Sequence, residues 1–289
     1  MTRRTPQVIA HRGARNQCPE NTTASISAAL KLPGLRGVEF DVELAKSDAP
    51  MVLHQETVVP SEDFKSIVPA TRDFTTRDWV SQYDAKEIAS LDAGSWFNPK
   101  FSEARVPSLD EVLSLAWGDK TAYVELKDPT FWGKRDTTLP KKVVDAVISK
   151  LLNFSKTNKI DVISFNPEIL KELHNRARDI PLTLALWTEW KGRQKEAVTL
   201  AKSCSFATIS LPDLVLLDDP NWIEMAHSEG LLVAAYPVSP ARGEPEFNNW
   251  SAESQVEKWR KLVALKVDAL VSDFPKETLN HINGLTPTQ

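Results

Sequence analysis

Glu39 and Asp41 are the first residues of this chain whose types and spacing indicate chemistry. They flank Phe40 in the run GVEFDVEL (37–44), which has the composition of a β-strand. Because strand side chains alternate, both carboxylates project from the same face. The apolar flanks indicate a buried face, where two neighbouring acids need a compensating cation, and a hard divalent ion is one solution. The alternative is an ordinary solvated strand face.

A second acidic strand is predicted at TAYVEL (121–126). Glu125 and Lys127 share one face of it, so a third carboxylate and an ammonium group would project together. The ammonium group would stand where a phosphate oxygen could bind. Lys127 could instead form a salt bridge to Glu39 or Glu125 that replaces any metal, and the residues alone leave both interpretations open.

Two of the five histidines, His11 and His54, occupy the apparent ends of strands. Imidazole titrates near neutral pH, so one ring could deprotonate an attacking hydroxyl or water while the other protonates a leaving alkoxide. A lone histidine at a strand end is more often structural. Arg12 beside His11, and the position of His54 shortly after the acidic strand, favour a catalytic role.

The elements that must position these residues alternate along the chain. Short apolar runs, each followed by a longer helical pattern, occur at 8–12, 37–44, 121–126, 161–166, 182–188, 206–211, 231–238 and 268–274. Several of the helical stretches open on Ser, Thr or Pro, as helices do. Strand followed by helix eight times predicts a closed parallel TIM (β/α)8 barrel of the α/β class.

The 289 residues fall within the range of a single barrel domain, so residues 1–289 are predicted to form one domain. Residues 55–106 are too long for a simple connection and predict a small insertion after the second barrel strand. The run PMVLHQ (50–55) before it indicates an added short strand or a hairpin return. Long connections also follow the third and seventh strands, at 128–138 and 240–250. All three segments either shape a substrate pocket or are tolerated surface insertions.

Charge and composition restrict the partners. The 35 basic and 39 acidic residues give a net charge of −4, with the basic residues scattered, which argues against nucleic acid as a partner. The two cysteines, Cys18 and Cys204, predict reduced thiols and no disulfide framework. The N-terminal residues lack the apolar region of a signal peptide, and no run has the length of a transmembrane helix. We therefore predict a cytoplasmic protein.

Taken together, these residues resemble the glycerophosphodiester phosphodiesterase family. The resemblance lies in VIAHRGARNQCPENT (8–22), VEFDVEL (38–44), VLHQ (52–55), LDAGSWFNPKF (91–101), VPSLDEVL (106–113), VELK (124–127) and VSDFP (271–275). These segments occur in the order of the family. Each motif alone is weak, whereas the combination of HRG, PENT, E-x-D and ELK is specific.

The resemblance implies a TIM barrel with an inserted subdomain after the second strand, at about 55–106. It implies hydrolysis of a small-molecule phosphodiester to glycerol 3-phosphate and an alcohol, through internal attack by the substrate's 2-hydroxyl or, more simply, direct attack by water. The residues that it assigns are the catalytic pair His11 and His54, the Mg²⁺ or Ca²⁺ ligands Glu39, Asp41 and Glu125, the phosphate contacts Arg12 and Lys127, and the supporting residues Glu20 and Asn21.

This chain departs from the family pattern after the second histidine, where Gln55 replaces the usual aspartate. A following carboxylate would orient His54 more firmly than an amide, so a less typical substrate is one interpretation. A barrel that binds anions without turnover is a second interpretation, and a lyase or aldolase that uses Lys127 as a Schiff base is a third. Lysophospholipase D activity is a fourth if loop aromatic residues line one groove, namely Trp96, Phe97, Phe131, Trp132 and Trp250.

Overall fold

The computed structural model describes residues 5–54, 57–58, 78–128, 138–239 and 249–285. Its strands are β1 (Gln7–His11), β2 (Gly37–Leu44), β3 (Pro50–Val52), β4 (Thr57–Val58), β5 (Asp78–Trp79), β6 (Thr121–Leu126), β7 (Lys159–Ser164), β8 (Leu182–Ala185), β9 (Thr208–Pro212), β10 (Leu232–Tyr236) and β11 (Ala269–Ser272). Its α-helices are α1 (Thr23–Leu30), α2 (Ala85–Ser90), α3 (Leu109–Leu113), α4 (Leu139–Ser155), α5 (Pro167–Arg176), α6 (Gln194–Ser203), α7 (Asp213–Asp218), α8 (Asn221–Ser228), α9 (Ala252–Ala264) and α10 (Pro275–Leu285).

Eight strands close into a parallel barrel. They are hydrogen-bonded in the order β1-β11-β10-β9-β8-β7-β6-β2, and β2 returns to β1. At the closure, Ile9 to His11 pair in register with Gly37 to Glu39. The prediction of a TIM barrel is confirmed, and each predicted barrel strand is present with small differences at its ends. Because all eight strands are parallel, their carboxyl ends meet at one mouth.

The helices surround the barrel, and their starts follow the expected capping chemistry. The hydroxyl of Thr22 accepts a hydrogen bond from Ser25 N at 3.2 Å and caps α1. Helix α3 is short and ends at Leu113. Three helices were not predicted, α2, α7 and α10; the first two have only six residues each, too few to show a helical period.

The alternation of side chains along the strands separates the barrel interior from the helix layer. In β2, Val38, Phe40 and Val42 pack against the surrounding helices. The opposite face points into the lumen, where one apolar layer fills the barrel and is formed by Ile9, Tyr123, Ile163, Ala185, Ala234 and Ala269. Residues two positions further along these strands must therefore lie just above that layer, at the mouth.

An additional hairpin carries the chain away from the barrel after β2. Strand β3 pairs antiparallel with β2, with Val42 opposite Val52 and Leu44 opposite Pro50. This confirms the predicted hairpin return. The connection to β6 then builds a second small core around Met51, Leu53, Val80, Ile88, Leu91 and Val106. Residues 55–56 and 59–77 lie outside the described part of the chain, and the single-domain assignment with an insertion at about 55–106 stays a prediction.

The structure bears on two predictions, the reduced state of the cysteines and the lack of a transmembrane helix. Cys18 and Cys204 are both free thiols. Among the helices in the described ranges, none has the length and apolar character needed to cross a membrane. The cytoplasmic location stays a prediction.

Gly37 provides a test of the closure between β1, β2 and β6. A Cβ at this position would lie 2.1 Å from the Thr121 carbonyl oxygen and 2.8 Å from a ring carbon of Tyr123. Because the Thr121 carbonyl is part of the sheet backbone and cannot move aside easily, we expect Gly37→Ala to lower the free energy of unfolding by about 1–3 kcal/mol in a denaturant titration.

The matched control is Gly284→Ala in α10, where an added Cβ meets no heavy atom within 4 Å. That variant should be at least as stable as the wild type because alanine favours the helix. Equal stability of Gly37→Ala and the wild type would contradict the close approach of β2 to β6.

Candidate active site

The first part of the site is the turn that follows β1. Arg12 and Asn21 both adopt the left-handed backbone conformation, with φ of 55° and 56°. Gly13 follows at φ 87°, and a Cβ there would lie 2.3 Å from the Ser25 hydroxyl, so only glycine fits against α1. Ser25 also donates from its hydroxyl to the Arg12 carbonyl at 3.0 Å. The HRG motif thus turns the chain sharply and aims the backbone N–H of Arg12 at Glu39, 3.0 Å away.

Three carboxylates converge at the mouth. Asp41 and Glu125 are register partners on the neighbouring strands β2 and β6, and Glu39 lies two residues below Asp41. One oxygen from each of the three groups lies within 4.8 Å of the other two. All three residues are buried, with Asp41 only 1% exposed. The sequence-based expectation that acids from two strands meet is therefore met in the geometry.

Two cations offset part of this negative charge. The Lys127 ammonium lies 2.7 Å from Asp41 Oδ1 and also contacts Glu125. The Arg12 guanidinium lies 3.2 Å from Asp41 Oδ2 through Nε and donates from Nη1 to Glu20 at 2.8 Å. The salt bridge that the sequence left open for Lys127 is thus present with Glu125, and it includes Asp41 rather than Glu39. With two cations against three carboxylates, one negative charge remains.

The uncompensated charge falls on Glu39. Among the described residues, Glu39 Oε1 is buried and has no hydrogen-bond partner. Burial, together with Asp41 and Glu125, raises the pKa of Glu39 well above its usual value. The pKa of Asp41 is lowered, because Lys127, His54 and Arg12 outweigh its burial. A buried oxygen set with excess negative charge has the donor chemistry of a Mg²⁺ or Ca²⁺ site, so the acidic triad could hold a metal ion.

The predicted supporting residues contact the same centre. The Asn21 side chain donates to Asp41 Oδ2 at 2.8 Å and accepts from the Asp41 backbone N–H at 3.2 Å. This two-point contact fixes the carboxylate of Asp41 relative to the loop after β1. Glu20 does not reach the triad by a hydrogen bond in the described structure; it contacts Arg12 and Arg15 instead.

His11 is held by a residue that the sequence analysis did not assign. Its Nδ1 lies 2.6 Å from Asp273 Oδ1, which follows β11. Asp273 Oδ2 accepts from the Trp250 indole at 2.8 Å and contacts the Ser239 hydroxyl. Trp250, which was considered as a substrate contact, therefore donates to a buried carboxylate. The signal for Asp273 was available, because it lies two residues beyond the lumen-facing Val271 in the VSDFP motif.

His54 reaches the site from the hairpin. The residue before it, Leu53, donates its backbone N–H to the Asp41 carbonyl at 3.1 Å, which fixes where His54 leaves the barrel. Burial lowers the pKa of His54 well below its usual value, and the charges of Arg12 and Lys127 lower it further. The pKa of His11 is also lowered by burial and by Arg12, although Asp273 opposes this. Gln55 lies outside the described residues.

The other half of the mouth is aromatic. Phe165, Trp187 and Tyr236 each lie two residues beyond the apolar lumen layer of their strands, and all are partly exposed. Trp187 stacks on Tyr236 with centroids 6.2 Å apart, and Phe165 meets Tyr236 edge-on at 6.0 Å. Of the loop aromatic residues considered from the sequence, Trp96 and Phe97 pack on each other in the insertion, whereas Phe131 and Trp132 lie outside the described residues.

The mouth of the closed parallel barrel holds acids, basic groups and two histidines, a set that could bind an anionic substrate and transfer protons. Residues 11–277 match the sequence profile of the glycerophosphoryl diester phosphodiesterase family. The chain belongs to this family and is an enzyme of the phosphodiesterase class.

Individual relatives agree over most of the chain. A glycerophosphodiester phosphodiesterase from Bacillus subtilis (strain 168) is 28% identical over 253 residues, which is 84% of this chain and 80% of the relative. An Oleispira antarctica phosphodiesterase, solved with the product sn-glycerol-3-phosphate, has a TM-score of 0.72 and 21% identity, covering 96% of this chain and 97% of that one. A glycerophosphodiester phosphodiesterase from Agrobacterium tumefaciens has a TM-score of 0.66 and 24% identity, covering 95% of this chain and 99% of that one.

The charge on Glu39 generates a test that does not need a substrate. Because the folded state raises the pKa of Glu39, it binds this proton more tightly than the unfolded chain, and metal-free stability should fall as pH rises above the usual glutamate value. In the presence of chelator at pH 8, we expect Glu39→Gln to raise the free energy of unfolding by about 1–3 kcal/mol. Denaturant titrations at several pH values would measure this.

Glu229→Gln serves as the control, since Glu229 is exposed and remote from the mouth. It should leave both stability and its pH dependence unchanged. Added Mg²⁺ or Ca²⁺ should stabilise the wild type more than Glu39→Gln. Destabilisation of metal-free protein by Glu39→Gln would show that the carboxylate is already compensated.

Proposed function

We propose that this enzyme hydrolyses glycerophosphodiesters to glycerol 3-phosphate and an alcohol, with Mg²⁺ or Ca²⁺ bound by Glu39, Asp41 and Glu125. The proposal rests on one observation: three buried carboxylate groups lie within 4.8 Å of one another between Arg12, Lys127 and the two histidines. The product named for the Oleispira antarctica enzyme is consistent with this reaction.

The phosphodiester group carries one negative charge, and more charge develops on its oxygens during attack. Arg12 and Lys127 are the cationic groups next to the triad, and both are ion-paired in advance of any ligand. Carboxylates hold both side chains in place before the substrate binds, so neither has to reorient during the reaction. This preorganisation is what makes electrostatic stabilisation effective. When bound, the metal ion would polarise a phosphoryl oxygen and add to this stabilisation.

His11 and His54 supply the proton transfers in this proposal. Because His11 Nδ1 is engaged by Asp273, its Nε2 is the nitrogen left for substrate. Burial lowers the pKa of His54 well below the usual value, which favours the neutral form that can accept a proton from the attacking hydroxyl or water. The other ring must enter the reaction protonated to give a proton to the leaving alkoxide, and Asp273, which acts to raise the pKa of His11, suits His11 to that role.

The aromatic half of the mouth suits the uncharged part of the substrate. Phe165, Trp187 and Tyr236 stand opposite the charged residues of β1 and β2 around the barrel. Their partly exposed rings offer apolar contact to a glycerol backbone or to the alcohol, while the phosphate stays at the charged half. A substrate that bridges the two halves would present its scissile bond above the triad.

Schiff-base chemistry at Lys127 is disfavoured. The ammonium group contacts both Asp41 and Glu125, and these carboxylates raise its pKa. A catalytic amine must lose its proton to attack a carbonyl. Lys127 is instead held in the charged form that suits a phosphate contact.

The direct test is release of glycerol 3-phosphate from glycerophosphocholine with Mg²⁺ or Ca²⁺. We expect His11→Ala and His54→Ala each to lower kcat by about 10²–10⁴-fold, and excess chelator to abolish turnover. His227→Ala is the matched control, because His227 also contacts an aspartate, Asp268, but lies on α8 away from the mouth. It should retain wild-type kcat.

Substrate preference is decided in the same assay by adding a lysophosphatidylcholine arm. Faster turnover of the lysophospholipid than of the deacylated diester would assign a lysophospholipase D activity. Failure to cleave either substrate with either metal would refute the proposed function.

The route of attack is a separate prediction. If the 2-hydroxyl of the substrate glycerol attacks phosphorus and water opens the cyclic phosphate, a diester lacking that hydroxyl should not be turned over. Parallel assays of the two diesters, with ³¹P NMR to detect a cyclic phosphate, would measure this. Undiminished turnover of the deoxy substrate would eliminate the cyclic route and favour direct attack by water.

A further inference from the structure

Arg15 lies at the centre of a polar network above the first turn of the site. Its guanidinium contacts Glu20 Oε2 at 2.6 Å, Asp273 Oδ1 at 3.0 Å and the Ser239 hydroxyl at 3.1 Å. The side chain is 16% exposed, and both carboxylates are more deeply buried. Arginine suits this position because its planar fork can bond several acceptors at once.

Each of the two carboxylates also holds one of the two functional residues at the end of β1, where His11 is the last strand residue and Arg12 follows it. Glu20 uses its other oxygen, Oε1, to accept from Arg12 at 2.8 Å. Asp273 Oδ1 is shared between Arg15 and His11 Nδ1. His11 and Arg12 are consecutive in the chain, yet their side chains reach towards opposite neighbours, β11 and β2. A closed ring therefore runs from His11 through Asp273, Arg15 and Glu20 to Arg12.

We propose that Arg15 is a positioning residue that holds His11 and Arg12 in their working orientations through one shared carboxylate each. The inference rests on the proposed function, in which His11 transfers protons and Arg12 contacts the phosphate. Arg15 itself is not expected to touch the reacting atoms.

If Arg15 served only to stabilise the fold, its removal would lower stability and would affect kcat only through unfolding. Neither carboxylate would be left without a partner, because Glu20 keeps Arg12, and Asp273 keeps His11 and Trp250. Asp273 does lose its cationic partner, because Arg15 does the most to hold the pKa of that carboxyl low, so a moderate loss of stability is expected. The restraint that ties the two carboxylates together is lost as well, so kcat should fall by more than the unfolded fraction accounts for.

The experiment compares Arg15→Ala with the wild type in the glycerophosphocholine assay. We expect kcat, measured where Arg15→Ala is fully folded, to fall by about 10–100-fold, with less than a threefold change in KM and a moderate fall in Tm. Added guanidinium ion at non-denaturing concentration should restore part of kcat in Arg15→Ala only. Arg15→Lys should recover less than the wild type, because one ammonium group cannot reproduce the bidentate fork.

The matched control is Arg176→Ala. Arg176 also bridges two carboxylates, Asp145 and Glu172, but on the outer surface of α5. This variant should keep wild-type kcat and show no response to guanidinium. An unchanged kcat in Arg15→Ala would overturn the proposal, as would a loss that follows the unfolded fraction and is not rescued.

A second measurement separates this inference from the proposed function. The Nδ1 proton of His11, hydrogen-bonded to a buried carboxylate, should give a downfield ¹H NMR signal that His11→Ala identifies. We expect that signal to shift or broaden in Arg15→Ala and to stay unchanged in Arg176→Ala. If the wild type turns over no diester, the proposed function fails, and an unaltered His11 signal in Arg15→Ala would independently refute the positioning role.

Discussion

The structure of the mouth depends on the burial of three like charges in one small volume. Glu39, Asp41 and Glu125 would repel one another strongly if they were left uncompensated. Lys127 and Arg12 offset two of the charges, and Asn21 donates to the carboxylate of Asp41 and accepts from its backbone N–H. The remaining oxygen of Glu39 defines where a cation would bind. Loop conformation, strand register and basic residues all serve this one electrostatic requirement.

Much of this arrangement follows from strand periodicity, which is why the sequence predicts it. The alternation in β2 places Glu39 and Asp41 on one face, and parallel pairing with β6 adds Glu125 beside them. The barrel strands and the hairpin return could likewise be predicted from the sequence, since each is an apolar run with a clear boundary. Periodicity also encodes the aromatic half, although Phe165, Trp187 and Tyr236 were not singled out as site residues.

Contacts between distant segments were beyond such reasoning. Asp273 reaches His11 across 262 residues, and only closure of the barrel brings β11 beside β1. Arg15 was hidden for the same reason, because its partners come from three separate segments of the chain. The hydrogen bond of Trp250 was not predictable either, because aromatic character alone does not tell whether an indole donates to a buried carboxylate. Helices α2 and α7 are too short to show a helical period in the sequence.

The hairpin of β2 and β3 has a consequence for how such an enzyme can diversify. Its pairing, and the bond from Leu53 to the Asp41 carbonyl, fix the exit of the chain just before His54. Beyond it, the described residues Val80, Ile88, Leu91 and Val106 pack with Met51 and Leu53 in a separate small core. Segments there can lengthen, shorten or change sequence without moving the imidazole relative to the acids. Evolution could therefore alter which leaving groups are accepted while the reaction centre stays constant.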